Sequence, residues 1–239
     1  MALLRVNPKK RRRHDRGAVR MPEREPAMTT IDASTETSQR ATAPAAPAAP
    51  PADPMMIGLP SFIVGSVALG LVLIGYVPAT AVGASLAVII AATGLGLVIA
   101  SVWAANLGQS AVAGVFAIFA GFWLSYALLV LGLTHNWFGV GASAAVATEG
   151  LFLISWLVIV GMLTLGTLRL PVAYALLFAL IEVALVLVLI GTLSASAGIL
   201  QIGGVVVFLF AAVGVYLFFS SASQATGGSA LPLGPALVS

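Results

Sequence analysis

Beyond residue 53 the chain carries three formally charged side chains, Glu149, Arg169 and Glu182, and one histidine, His135. Glu182 is the best placed for chemistry. It stands eleven residues from either end of an apolar run over 171–193. A carboxyl at mid-bilayer is costly, so it marks a proton or polar site by default. The structural alternative is an acid kept neutral by burial and hydrogen-bonded to a hydroxyl or carbonyl. Glu149 has a simpler reading, as an acid in the first turn of a helix, where the dipole favours it. His14 and His135 are too few and too far apart for a metal site, and the absence of cysteine excludes thiolate zinc, iron–sulfur and disulfide chemistry. Gly83-Ala84-Ser85-Leu86-Ala87 has the outline of a nucleophile elbow without a partner histidine and acid. Gly94-Leu95-Gly96 lacks the third small residue of a dinucleotide loop and reads as helix packing. No metal, no cofactor and no enzymatic activity are expected.

The elements that carry these residues follow from composition. Apolar residues make up 60% of the 239 and charged residues 8%, with a mean hydropathy of +1.08. A soluble domain carries roughly a quarter charged residues. Of eleven Lys and Arg, ten precede residue 41. The chain is therefore expected to be an all-α integral membrane protein. A hydrocarbon core of about 30 Å needs roughly 20 apolar residues per helix, and breakers divide the sequence into six such spans: 57–77, 81–104, 110–133, 147–168, 171–193 and 198–219. The fourth is bracketed by Glu149 and Arg169, and Pro171 suits the first turn of the fifth. Six spans put both termini on one side. The basic tail and Arg169 make that side the cytoplasm by the positive-inside rule. Gly114 and Gly121, seven residues apart on one face of the third span, are expected to let protomers or helices approach closely.

Residues 1–53 read as a disordered cytoplasmic tail, basic at first and then Ala/Pro-rich, with APAAPAAPP as a semi-extended linker. No apolar core follows the basic run, so it is not a secretory signal. The run Lys9-Lys10-Arg11-Arg12-Arg13 reads as a solvated topogenic tail, and nucleic acid is not an expected partner. Met21 and Met28 are alternative starts. The transporter domain is expected over 54–222, with a short tail over 223–239.

Collinear pieces of the spans resemble the acetate uptake transporter family, the six-helix YaaH-type acetate/succinate permeases. Asp53-Pro54-Met55-Met56-Ile57-Gly58-Leu59 stands where the family has Asn-Pro-Ala-Pro-Leu-Gly-Leu; Pro54, Gly58 and Leu59 match, while Asp53 and Met56 depart. Gly121-Phe122-Trp123-Leu124, Gly150-Leu151-Phe152 with Trp156, Gly166-Thr167-Leu168-Arg169, Gly203-Gly204, Val215-Tyr216 and Leu231-Pro232-Leu233-Gly234 follow in order.

The resemblance implies a homo-oligomer, a hexamer, in which each protomer holds a narrow pore pinched by apolar side chains. It places the pinch on Phe62, Phe119 and Ile181. Phe119 departs from the family's tyrosine, and Glu182 stands where small residues are usual. The implied function is transport of acetate or a similar small carboxylate across the plasma membrane (the bacterial inner membrane), channel-like or coupled to a proton. The substrate path would begin at the motif of Asp53, Pro54, Gly58 and Leu59, where backbone N–H groups at a helix start can meet an anion. Alternatives are the same fold passing ammonia, urea or succinate, and a non-transporting membrane subunit.

Overall fold

The computed structural model describes residues 52–238 apart from Ala79 and Val82. The expected disordered basic segment, the Ala/Pro linker and the alternative starts lie outside the described residues. Among the described residues, six helices are long and apolar enough to cross a membrane: Met55–Leu73, Leu86–Asn106, Ser110–Thr134, Ala142–Thr167, Val172–Leu193 and Ala197–Ala225. They are numbered here as spans one to six. Among the described residues the β-structure amounts to one isolated bridge, Pro171 to Ala236.

Backbone chemistry sets where the spans stop. Span one ends four residues before the expected 77, because Gly75 takes φ +81° and closes a Schellman motif, Gly75 N–H donating to the Val72 carbonyl and Tyr76 N–H to that of Leu71. Gly108 does the same for span two. Span four starts earlier than expected, through a 3-10 turn over Ala142–Ala144 into the helix Ala145–Thr167. Its alanine-rich opening has the helix propensity to continue back from Val146. Glu149 is therefore not in the first turn, which holds no acid, and the dipole does not account for it. Pro171 stands just before span five as its N-cap rather than inside its first turn. Span six runs on to Ala225, past the expected domain end at 222.

Span two contains a π-helical turn, Ile89–Gly94. The turn brings Thr93 against Gly65 of span one and Gly94 against Leu124 of span three; a methyl group at either glycine would collide with those side chains. Gly96 makes similar room for Ser61. Each is a helix-packing position.

The spans form a ring. Span one packs on spans two and six, six on five, five on four, and two on three. Spans three and four close the ring with sparse backbone proximity and a set of aromatic side chains. Phe122 meets Phe152 at 5.7 Å and Trp156 at 5.4 Å, and Tyr126 meets Phe152 at 6.2 Å. Close helix approaches occur elsewhere, as at Gly204, where an added Cβ would lie 2.9 Å from Leu73 Cβ and 3.2 Å from the Gly70 carbonyl oxygen. Gly114 faces open space and Gly121 faces Trp156, so the expected close contact between helices of one protomer is not at this pair.

Residues after span six fold back along the bundle. The Pro235 and Leu233 carbonyls accept from the N–H groups of Val172 and Ala173 at the start of span five, 2.9 and 3.1 Å away, and the Leu168 carbonyl accepts from Leu237. Tyr216 donates its hydroxyl to the Pro232 carbonyl at 2.7 Å.

Candidate functional site

Among the described residues, two partly open cavities lie between the spans. One, of about 260 Å³, lies toward the end that carries the Thr134 loop; its lining includes Phe62, Phe119, Trp123, Tyr126, Glu149, Phe152, Ile181, Thr192 and Phe210. The other, of about 280 Å³, lies toward the end with the C-terminal tail; its lining includes Met55, Leu59, Phe62, Phe119, Thr167, Tyr174, Phe178 and Ile181. Three residues line both: Phe62, Phe119 and Ile181.

These three come from spans one, three and five. Phe62 and Phe119 are each 5% exposed and contact edge to face at a centroid distance of 5.1 Å. Phe178 leans on Phe119 at 5.8 Å and Phe210 on Phe62 at 5.7 Å. These two extra rings, from spans five and six, were not anticipated. The signal was their spacing: Phe178 stands three residues before Ile181, on the same face of span five.

Glu182 lies at the middle of span five as expected, yet it lines neither cavity. Ile181 occupies the inward position, and the next residue on an α-helix is turned by 100°. Glu182 instead faces Gly161 of span four; an added Cβ there would stand 3.4 Å from Oε1, while Oε2 is buried with no hydrogen-bond partner.

The motif at the start of span one is used up structurally. Asp53 Oδ1 accepts from Met55 N–H at 2.9 Å. Met56 N–H donates to the Asp53 carbonyl, and the Ile57 and Gly58 N–H groups donate to that of Pro54. Pro54 has no N–H to give. The helix start therefore offers none of these donors to an incoming anion, contrary to the sequence expectation. Gly58 makes room for the Phe116 ring. Of the four motif residues, only Leu59 lines a cavity.

Polar groups are sparse along both cavities. The tail-end cavity has the Tyr174 and Thr167 hydroxyls, the latter donating to the Thr164 carbonyl. The loop-end cavity has Tyr126, Thr134, Thr192, Glu149 and Trp123, whose Nε1–H is buried without an acceptor. No group of three or more potential metal ligands occurs among the described residues. What the arrangement offers a solute is two chambers in series, mostly apolar, joined at an aromatic contact.

The sequence over residues 36–230 matches the model of a family described as the GPR1/FUN34/yaaH family. Among solved structures, the fold is similar to that of the bacterial acetate channel SatP, with 24% identity over 77% of this chain and 99% of that chain and a TM-score of 0.68. No curated protein matches the chain.

Proposed function

Because the chain belongs to the GPR1/FUN34/yaaH family, we propose that it carries acetate or a similar small monocarboxylate across a membrane. One observation carries this reading: two cavities in series share Phe62, Phe119 and Ile181 and no other residue. The three side chains form the neck of the path. An apolar neck passes a small, weakly hydrated solute and holds back hydrated ions, whose water shell it cannot replace. The likeness in fold to an acetate channel supports the cargo.

The neck is built for a small solute. Rings at 5.1 Å leave no standing opening, so passage requires side chains to swing aside, a motion of nanoseconds or longer. The path runs from the Leu59 side through the neck to the Glu149 side. By the positive-inside rule its tail end faces the cytoplasm, and the plasma membrane is the membrane crossed. Gly114, half-buried and with open space where a Cβ would stand, is available to a neighbouring copy, in keeping with a homo-oligomer such as a hexamer.

The test is flux. Purified protein in liposomes should take up labelled acetate faster than protein-free liposomes, and excess unlabelled acetate should compete. Absence of protein-dependent uptake leaves the non-transporting subunit as the reading. Phe119, lacking a phenol hydroxyl at the neck, favours a second cargo reading of ammonia, urea or succinate; competition by each against acetate decides between them.

A further inference from the structure

The cavity at the loop end contains one formally charged side chain, and its sign opposes an anion. Glu149 lines that cavity, and neither cavity is lined by Lys or Arg. The position is not explained by helix electrostatics, since Glu149 stands beyond the first turn of its helix. No protein hydrogen bond among the described residues ties down its carboxyl; the neighbouring Thr148 hydroxyl donates to the Ala144 carbonyl instead. Its surroundings are apolar and aromatic, with Phe122, Trp123, Tyr126 and Phe152 in the same wall. A charge beside low-dielectric walls projects its field into the space they enclose.

We propose that Glu149 makes this cavity a filter for protonation state, admitting the neutral monocarboxylic acid to the aromatic neck and turning back the anion. The proposal rests on the transport reading above and names the form of the substrate. A neutral acid has one hydrogen to donate and a carbonyl to accept with. The cavity wall offers the complement: an acceptor at Glu149, and donors at the Tyr126 hydroxyl and at Trp123, whose Nε1–H is buried and unpaired. A carboxylate anion has no hydrogen for Glu149 and meets a like charge. No covalent step is involved, and the proton crosses on the substrate.

Few other ionisable groups bear on Glu149. From span three the cavity receives Tyr126; from spans one, five and six it receives no titratable group. His135 donates its Nδ1–H to the Leu131 carbonyl and stacks on Trp137, outside the cavity lining. Arg169 stands twenty residues along the sequence, past the far end of span four. Glu182 is directed to Gly161.

The experiment compares labelled acetate with labelled acetamide, an uncharged solute of the same shape, in liposomes holding the full chain, with protein-free leak subtracted. In the wild type the acetate-to-acetamide flux ratio should fall steeply from pH 5 to pH 8. At pH 8 the ratio should be about tenfold higher for Glu149→Gln, the scale on which a charged cleft enriches or excludes ions. Glu149→Asp, which keeps the charge, should follow the wild type. An unchanged ratio in Glu149→Gln overturns the filter while leaving transport intact. A wild type that passes acetate at pH 8 as fast as acetamide overturns it without any variant. If the wild type carries neither solute, the transport reading falls and the filter falls with it.

Discussion

Phe62 and Phe119 meet across spans one and three with ring planes at 68° and centroids 5.1 Å apart. Such an edge-to-face pair is favoured by the ring quadrupoles, so the contact is a stable closure. Replacing either ring by Ala should raise acetate flux several-fold and admit longer acids such as butyrate. Uptake across a series of acids of rising chain length checks this; an unchanged rate and size limit in both variants would remove the neck.

Asp53 stands just before Pro54, the N-cap of span one. Its carboxylate takes the Met55 N–H at 2.9 Å in an Asx turn, and loss of such a bond costs about 1 kcal/mol. Asp53→Ala should lower the thermal midpoint in detergent by a few degrees while acetate selectivity is retained. A variant with wild-type stability and altered selectivity would return the motif to the substrate path.

Glu182 and Glu149 should behave differently. Glu182 lies in the seam between spans four and five, with a buried oxygen that lacks a partner. An unpaired buried polar group costs about 1–3 kcal/mol. Glu182→Leu should therefore raise thermal stability, and Glu182→Gln should leave the pH profile of uptake as it is. Loss of pH dependence in Glu182→Gln would place a proton route through that seam.

Gly204 and Gly114 separate packing inside a protomer from packing outside it. At Gly204 the nearest atoms to an added Cβ include the Gly70 carbonyl oxygen at 3.2 Å, and backbone cannot swing aside. Overpacking of this kind costs about 1–3 kcal/mol for one methyl group, so Gly204→Ala should lower the melting midpoint. At Gly114 an added Cβ meets nothing within 4 Å, so Gly114→Leu should fold normally. A shift in its elution volume on size-exclusion chromatography would locate a neighbouring copy on that face; an unchanged assembly would clear the face of that role.

The six spans were legible because charge and hydropathy separate so cleanly that Glu149 and Arg169 alone nearly bracket the fourth. Helix ends were less so. Gly75 and Gly108 announce their turns, but Asn136 and Ala195 adopt positive φ as well, and no composition rule singles out Ala195. The π-helical turn over Ile89–Gly94 left no mark in the hydropathy, because all six of its residues are as acceptable in an ordinary helix. Phe62, Phe119 and Ile181 could be named from collinear matching, whereas Phe178 and Phe210 required knowing which face of each helix turns inward. The role of Asp53 was hidden for a related reason. Whether a helix start is free or self-capped depends on a side-chain torsion that sequence does not record.

The return of the C-terminal tail has a consequence for how the protein is made. Span five opens with N–H groups on Val172 and Ala173 whose acceptors, at Leu233 and Pro235, are about sixty residues downstream. Until those residues leave the ribosome, the start of span five has to be satisfied by water or lipid headgroups. Its end of the bundle is thus locked only after span six has been made. Gly234, at φ +78°, lets the returning chain pass against Val172, where a larger residue would collide. Leu233 and Pro235 act as a latch set after the six helices have been made, and the order of assembly is written into the distance between donor and acceptor along the chain.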